Sequence, residues 1–88
     1  MTKIYIYCLF DSQDVFHGVY SSIDAVHRDA FKLCLKRGGE PLIHCQEGLV
    51  APSPTRLRNL LRGKIDVQLR YMCRGAVAAT IIKTKLKE

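Results

Sequence analysis

The sequence predicts a single two-layer α+β domain over residues 1–88, ordered β-β-α-(β)-α-β-β, with a mainly antiparallel sheet and two helices on one face. Three observations carry this reading. Apolar residues alternate at both ends of the chain, as in strand pairs. Two stretches between them switch to helical spacing. Glycines and turn-forming residues punctuate the joins. A chain of 88 residues has room for one core, burying roughly 60–65% of the surface its extended form exposes.

The elements follow in order. Residues 3–10, KIYIYCLF, alternate Ile4, Ile6, Cys8 and Phe10 with Lys3, Tyr5, Tyr7 and Leu9, so the first set is expected inward and the second outward. DSQD then turns, and VFHGVY returns to complete a hairpin, with Gly18 marking a bulge or a close backbone contact. Ile23, Val26, Ala30, Leu33 and Cys34 fall on one helical stripe, while Asp24, Arg28, Asp29, Lys32 and Lys36 face away. Ser21 with Asp24 three residues on gives a capping-box-like start, and Gly38-Gly39 ends the helix.

PLIHC is short and apolar enough for a strand. In SPTRLRNLLRG, Ser53 is the expected N-cap and Pro54 the first helical residue, with Leu57, Leu60 and Leu61 inward and Arg58 and Arg62 outward. In VQLRYMCR, Val67, Leu69, Tyr71 and Cys73 alternate with Gln68, Arg70, Met72 and Arg74. Beyond Gly75, Thr80, Ile82, Thr84 and Leu86 alternate with Ile81, Lys83, Lys85 and Lys87. Turning both apolar sets toward the helices puts Arg70, Arg74, Lys83, Lys85 and Lys87 on the open face. With the end strands as neighbours, Tyr5 and Tyr7 join them there.

Charge is concentrated. The chain carries 14 Lys/Arg against 8 Asp/Glu, a net of +6. Residues 1–49 hold five basic and six acidic residues, a net of −1; residues 50–88 hold nine and two, a net of +7. The basic second half therefore reads as a directed binding surface. No apolar run approaches the ~20 residues of a membrane span, and the opening lacks a cleavable leader, so a cytoplasmic address and no membrane partner are expected. The four cysteines form no Cys-x-x-Cys pair and are expected as free thiols, with no metal and no cofactor.

Two resemblances accompany these patterns. GVYSSIDAVHRDA, with the hairpin before it, resembles the opening of many small phage-encoded accessory proteins: a lysine-started strand, a polar turn, a strand ending Gly-Val-Tyr-Ser-Ser, then a helix. It covers Lys3 to Ala30 and implies a host-directed protein in the host cytoplasm. HCQEGLVAPSPT, residues 44–55, resembles a degenerate cysteine phosphatase loop. That resemblance gives Cys45 the nucleophile's position, but Ala51 and Pro52 stand where the family has arginine and Ser/Thr. Without the arginine there is no bidentate grip on phosphate, and Pro52 and Pro54 each remove an N–H donor from the loop. No enzyme activity is expected.

The resulting expectation is a non-enzymatic phage-type accessory protein that binds and modulates or inhibits a host macromolecule through its basic C-terminal half. The expected binding residues are Tyr5, Tyr7, Arg58, Arg62, Arg70, Arg74, Lys83 and Lys85. A host protein is the expected partner. The alternative is direct nucleic-acid binding on an open Tyr/Arg/Lys sheet face, where stacking and phosphate neutralisation would combine; a remoter one is anion binding by residues 44–55. An edge strand would also allow a dimer.

Overall fold

The structure, a computed structural model, describes residues 4–86. Lys3 and Lys87, given facing roles above, lie outside the described residues. The elements are β1 (Tyr5–Asp11), β2 (Phe16–Tyr20), α1 (Ile23–Lys36), β3 (Leu42–Cys45), β4 (Gly48–Val50), α2 (Pro54–Leu61), β5 (Val67–Cys73) and β6 (Ala76–Lys85). The six strands form one sheet in the order β2-β1-β6-β5-β3-β4, each neighbouring pair antiparallel. The α+β class and the broad element order are as the sequence predicts. β4 is an addition to them.

Local chemistry explains the helix limits. Ser53 caps α2, its Oγ accepting the Arg56 N–H at 3.1 Å, and Pro54 opens the helix. At α1 the cap is Ser22 rather than Ser21: Ser22 Oγ accepts the Ala25 N–H at 3.2 Å, so the capping frame sits one residue later than expected. The end of α1 needs a left-handed residue, which Gly38 supplies at φ +78 while its N–H bonds the Leu35 carbonyl at 2.9 Å.

Both helices lie on one side of the sheet, and the short axis of the molecule, 17 Å, fits a sheet plus one helical layer. The core lies between the layers. Val26, Ala30 and Cys34 of α1 and Leu57 and Leu61 of α2 are buried against Leu9, Ile43, Tyr71 and Ile81 of the sheet. Tyr71 is fully buried and its hydroxyl is hydrogen-bonded to His27 Nδ1 on α1. At one sheet edge, Tyr20 donates from its hydroxyl to Asp29 at 2.6 Å, tying β2 to α1.

Strand facing departs from expectation in β1 and β6. Tyr7 pairs with Lys83 and Leu9 with Ile81, and all four are buried under the helices. Ile6, Cys8 and Phe10 turn to the other side, with their partners Thr84, Ile82 and Thr80. The cause is register. β6 aligns Ile81 with Leu69 and Ala79 with Tyr71, so the odd-numbered residues of β5 and those of β6 from Ala79 onward share the helix side, while a register shift at Tyr71/Met72 turns Val77 to the other side opposite Met72. Both alternations of β1 and β6 are rich in apolar residues, and the register decides which one is covered.

Candidate functional site

The expected open Tyr/Arg/Lys face does not form. Tyr5, Tyr7, Lys83 and Lys85 lie on the helix side, while Arg70 pairs with Thr80 on the opposite side. Arg74 sits in the β5–β6 turn at φ 54, belonging to neither group. The structure thus separates residues that the alternation alone had grouped.

On the helix side, several expected residues nonetheless converge at one end of the sheet. Lys83 is 8% exposed, and its ammonium donates to the Leu61 carbonyl at 2.8 Å while lying 4.6 Å from the centre of the Tyr5 ring. Leu61 carries one of the carbonyls that α2 leaves without an intrahelical partner, so a lysine is a suitable cap in both charge and hydrogen bonding. Burial raises the Tyr7 hydroxyl's pKa, partly offset by the nearby Arg58 guanidinium. Arg58 itself reaches Asp24 on α1 at 3.1 Å. Arg62, at the end of α2, and Lys85 are exposed beside this cluster. Lys83, Tyr7 and Arg58 are thereby engaged within the fold.

The opposite face of the sheet is uncovered and apolar. Phe16, Val19 and Leu49, on the edge strands β2 and β4, are each more than half exposed. Phe10 packs against Phe16 with ring centres 5.6 Å apart. Ile6, Cys8, Leu42, Met72, Val77 and Ile82 are half-buried between them. In register, Leu42 lies opposite Met72, Cys8 opposite both Val19 and Ile82, and His44 opposite Leu49.

Arg70 is the charged strand residue at the middle of this face. Its guanidinium is held by the Gln68 side-chain oxygen at 3.3 Å. Among the described residues, no carboxylate comes within 4.0 Å of it. It borders a shallow depression of about 540 Å³ shared with Phe10, Asp14, Val77, Thr80 and Ile82. An antiparallel sheet can leave one face to water, but that face then normally alternates to polar residues. Here Gln68, Arg70, Thr80, Thr84 and His44 interrupt the face, and the exposed apolar residues on either side of them mark a place where something else packs.

The segment resembling a phosphatase loop has a different architecture. Cys45 pairs with Gly48 across a two-residue turn, making a β3–β4 hairpin where the resemblance implies a phosphate cradle running from strand to helix. Cys45 is half-buried, and His44 points to the other side of the sheet. The imidazole of His27, lowered in pKa by burial, is occupied by Tyr71. His17 meets Asp11 at 3.1 Å, and the Asp11 carboxyl is lowered chiefly by the backbone N–H groups of Val15 and Gln13. Among the described residues, no group of three or more His, Cys, Asp or Glu comes together as metal donors, and no helix is long and apolar enough to cross a membrane.

Sequence reasoning did not single out Phe16, Val19, Leu49 or Ile82 as a surface. The available signal was the apolar content of both alternations in β1 and β6. Comparison with known proteins finds no matching family model, no matching curated protein and no matching solved structure.

Proposed function

We propose that the chain is a non-enzymatic accessory protein, of the phage type that Lys3 to Ala30 resembles, which binds and modulates a host protein through the open face of its sheet. The uncovered apolar face around the lone Arg70 carries this reading. Six strands at about 4.8 Å spacing and roughly 20 Å of length offer on the order of 600 Å² of flat area, close to the ~800 Å² each partner contributes to a standard interface. Arg70 specifies the partner's chemistry: an apolar surface that presents a carboxylate to the guanidinium. The chain's net charge of +6 favours an acidic partner over a second copy.

The test compares wild-type protein with Ile82→Glu and Arg70→Glu variants, each checked for native circular dichroism. A polypeptide retained from nuclease-treated bacterial lysate is identified, purified and titrated calorimetrically. A charge placed at Ile82 is expected to weaken binding by about 100-fold, or roughly 3 kcal/mol. Equal affinity of both variants and wild type would refute this use of the face.

Nucleic-acid binding is the second reading, favoured by Tyr5, Arg62 and Lys85 at the basic end of the helix layer. Fluorescence polarisation with labelled single-stranded DNA, duplex DNA and RNA at about 50 and 200 mM salt separates the two. Absence of binding at the lower salt removes the nucleic-acid reading.

A further inference from the structure

We propose that the cleft between α2 and the β3–β4 hairpin binds a small organic anion: a phosphate or carboxylate carried on an apolar body. The cleft opens beside α2, and although His44 and Gln68 from the other face of the sheet border it, the inference does not rest on the protein-binding surface around Arg70. Its volume is about 790 Å³, and small-molecule sites typically span roughly 300–1,000 Å³.

Two kinds of surface meet there. Half-buried Leu60 and Val67 supply an apolar lining, with the core residues Leu61 and Leu69 behind them, while Arg56 and Lys64 stand at its polar side. Arg56 projects from α2 and Lys64 from the connection to β5, so the cations reach the cleft from different segments. Arg58 pairs with Asp24, but among the described residues neither Arg56 nor Lys64 has a carboxylate within 4.0 Å. Asn59 and Thr55 add neutral hydrogen-bonding groups. Glu47 is the acid lining the cleft, and it disfavours a long polyanion more than a compact anion that can stay beside the cations.

Local structure explains why the space is open. The β3–β4 hairpin closes with Cys45 opposite Gly48, so the strand end bordering the cleft carries a small side chain and none. α2 meanwhile turns Leu57 and Leu61 into the core, leaving Asn59 exposed and Leu60 half-buried toward the gap.

The experiment is a heteronuclear NMR titration of the full ¹⁵N-labelled chain in buffer free of phosphate and carboxylate. Phenyl phosphate and phenylacetate serve as amphipathic anions, with inorganic phosphate and benzyl alcohol as the separated halves. Saturable shifts centred on Arg56, Asn59 and Lys64 are expected for at least one amphipathic anion, with a Kd of about 1 mM or below. Each separated half is expected to bind about tenfold more weakly. An R56A/K64A variant should lose about tenfold in affinity, and Glu47→Gln should gain about twofold, with dispersed spectra in both. The proposal is overturned by non-saturating shifts for both anions at about 10 mM, by shifts centred on Arg70, by equal binding of benzyl alcohol, or by unchanged affinity in R56A/K64A. Preference for phenyl phosphate or phenylacetate distinguishes a phosphate ligand from a carboxylate one.

Discussion

Replacing Gly39 by alanine tests the packing that joins the end of α1 to the β5–β6 turn. A Cβ at Gly39 would stand 2.7 Å from Cys73 Sγ and 3.1 Å from Arg74 Cγ. Relaxed non-bonded contacts lie at about 3.5–4.0 Å, so the overlap with sulfur is on the order of 1 Å. The exposed Arg74 side chain can swing away. Cys73 is 1% exposed and its thiol faces the Cys34 carbonyl, so it has little room to move. Overpacking of this kind costs about 1–3 kcal/mol. A value near 2 kcal/mol lowers Tm by about 8–16 °C in a domain of this size.

The diagnostic measurement is a double-mutant cycle followed by thermal and urea denaturation. Cys73→Ala removes the obstructing sulfur at a cost of about 1 kcal/mol. In that background Gly39→Ala should cost less than about 0.5 kcal/mol, giving a coupling of about 1.5 kcal/mol. Additive penalties, or a Gly39→Ala Tm equal to wild type, would refute the steric account.

Lys83→Met should destabilise by about 1–2 kcal/mol in urea titrations, because it removes one of the two donors to the Leu61 carbonyl, leaving only the Lys64 N–H at 3.2 Å, and removes the cation over Tyr5; unchanged stability would show that the buried ammonium contributes nothing. His27 has a folded pKa below its unfolded value, because burial disfavours the charged ring. Its contribution is therefore full above about pH 6.5 and declines as pH falls toward the folded pKa, a decline that His27→Gln should flatten in a plot of urea midpoint against pH. Cys34 is buried and its thiol is pushed up to about 11, and Cys73 is buried beside it. An aromatic disulfide reagent should titrate Cys8 and Cys45 readily in the native protein and reach the other two only on unfolding.

The parts of the fold that the sequence discloses are those in which local chemistry is one-sided. Ser53-Pro54 marks the start of α2 because the cap and the fixed proline torsion act within one turn. β5 is legible because Leu69 and Tyr71 alternate with Gln68 and Arg70. β1 offers no such contrast: Tyr7 and Leu9 are as able to fill a core as Ile6 and Cys8, and only pairing with β6 chooses between them. Lys83 misleads by its charge, since a lysine stem packs like an apolar chain when its ammonium finds a carbonyl. The cleft is legible only in part: its lining from His44 to Thr55 falls in the segment that resembles a phosphatase loop, whereas Arg56, Asn59, Lys64 and Leu69 share neither a period nor a local motif with it.

The position of β6 has a consequence for biosynthesis. It is the last strand described, yet it stands third in the sheet, bonded to β1 on one side and β5 on the other. A nascent chain that stops short of it holds a β1–β2 hairpin and a separate β3–β4–β5 group, each with an unpaired edge. Within the sheet the two halves are joined only through β6, so completion of the sheet must wait until translation has delivered that strand. During that interval the exposed edges and the uncovered core are open to wrong pairings, and chaperone dependence should be set by how long β6 takes to emerge.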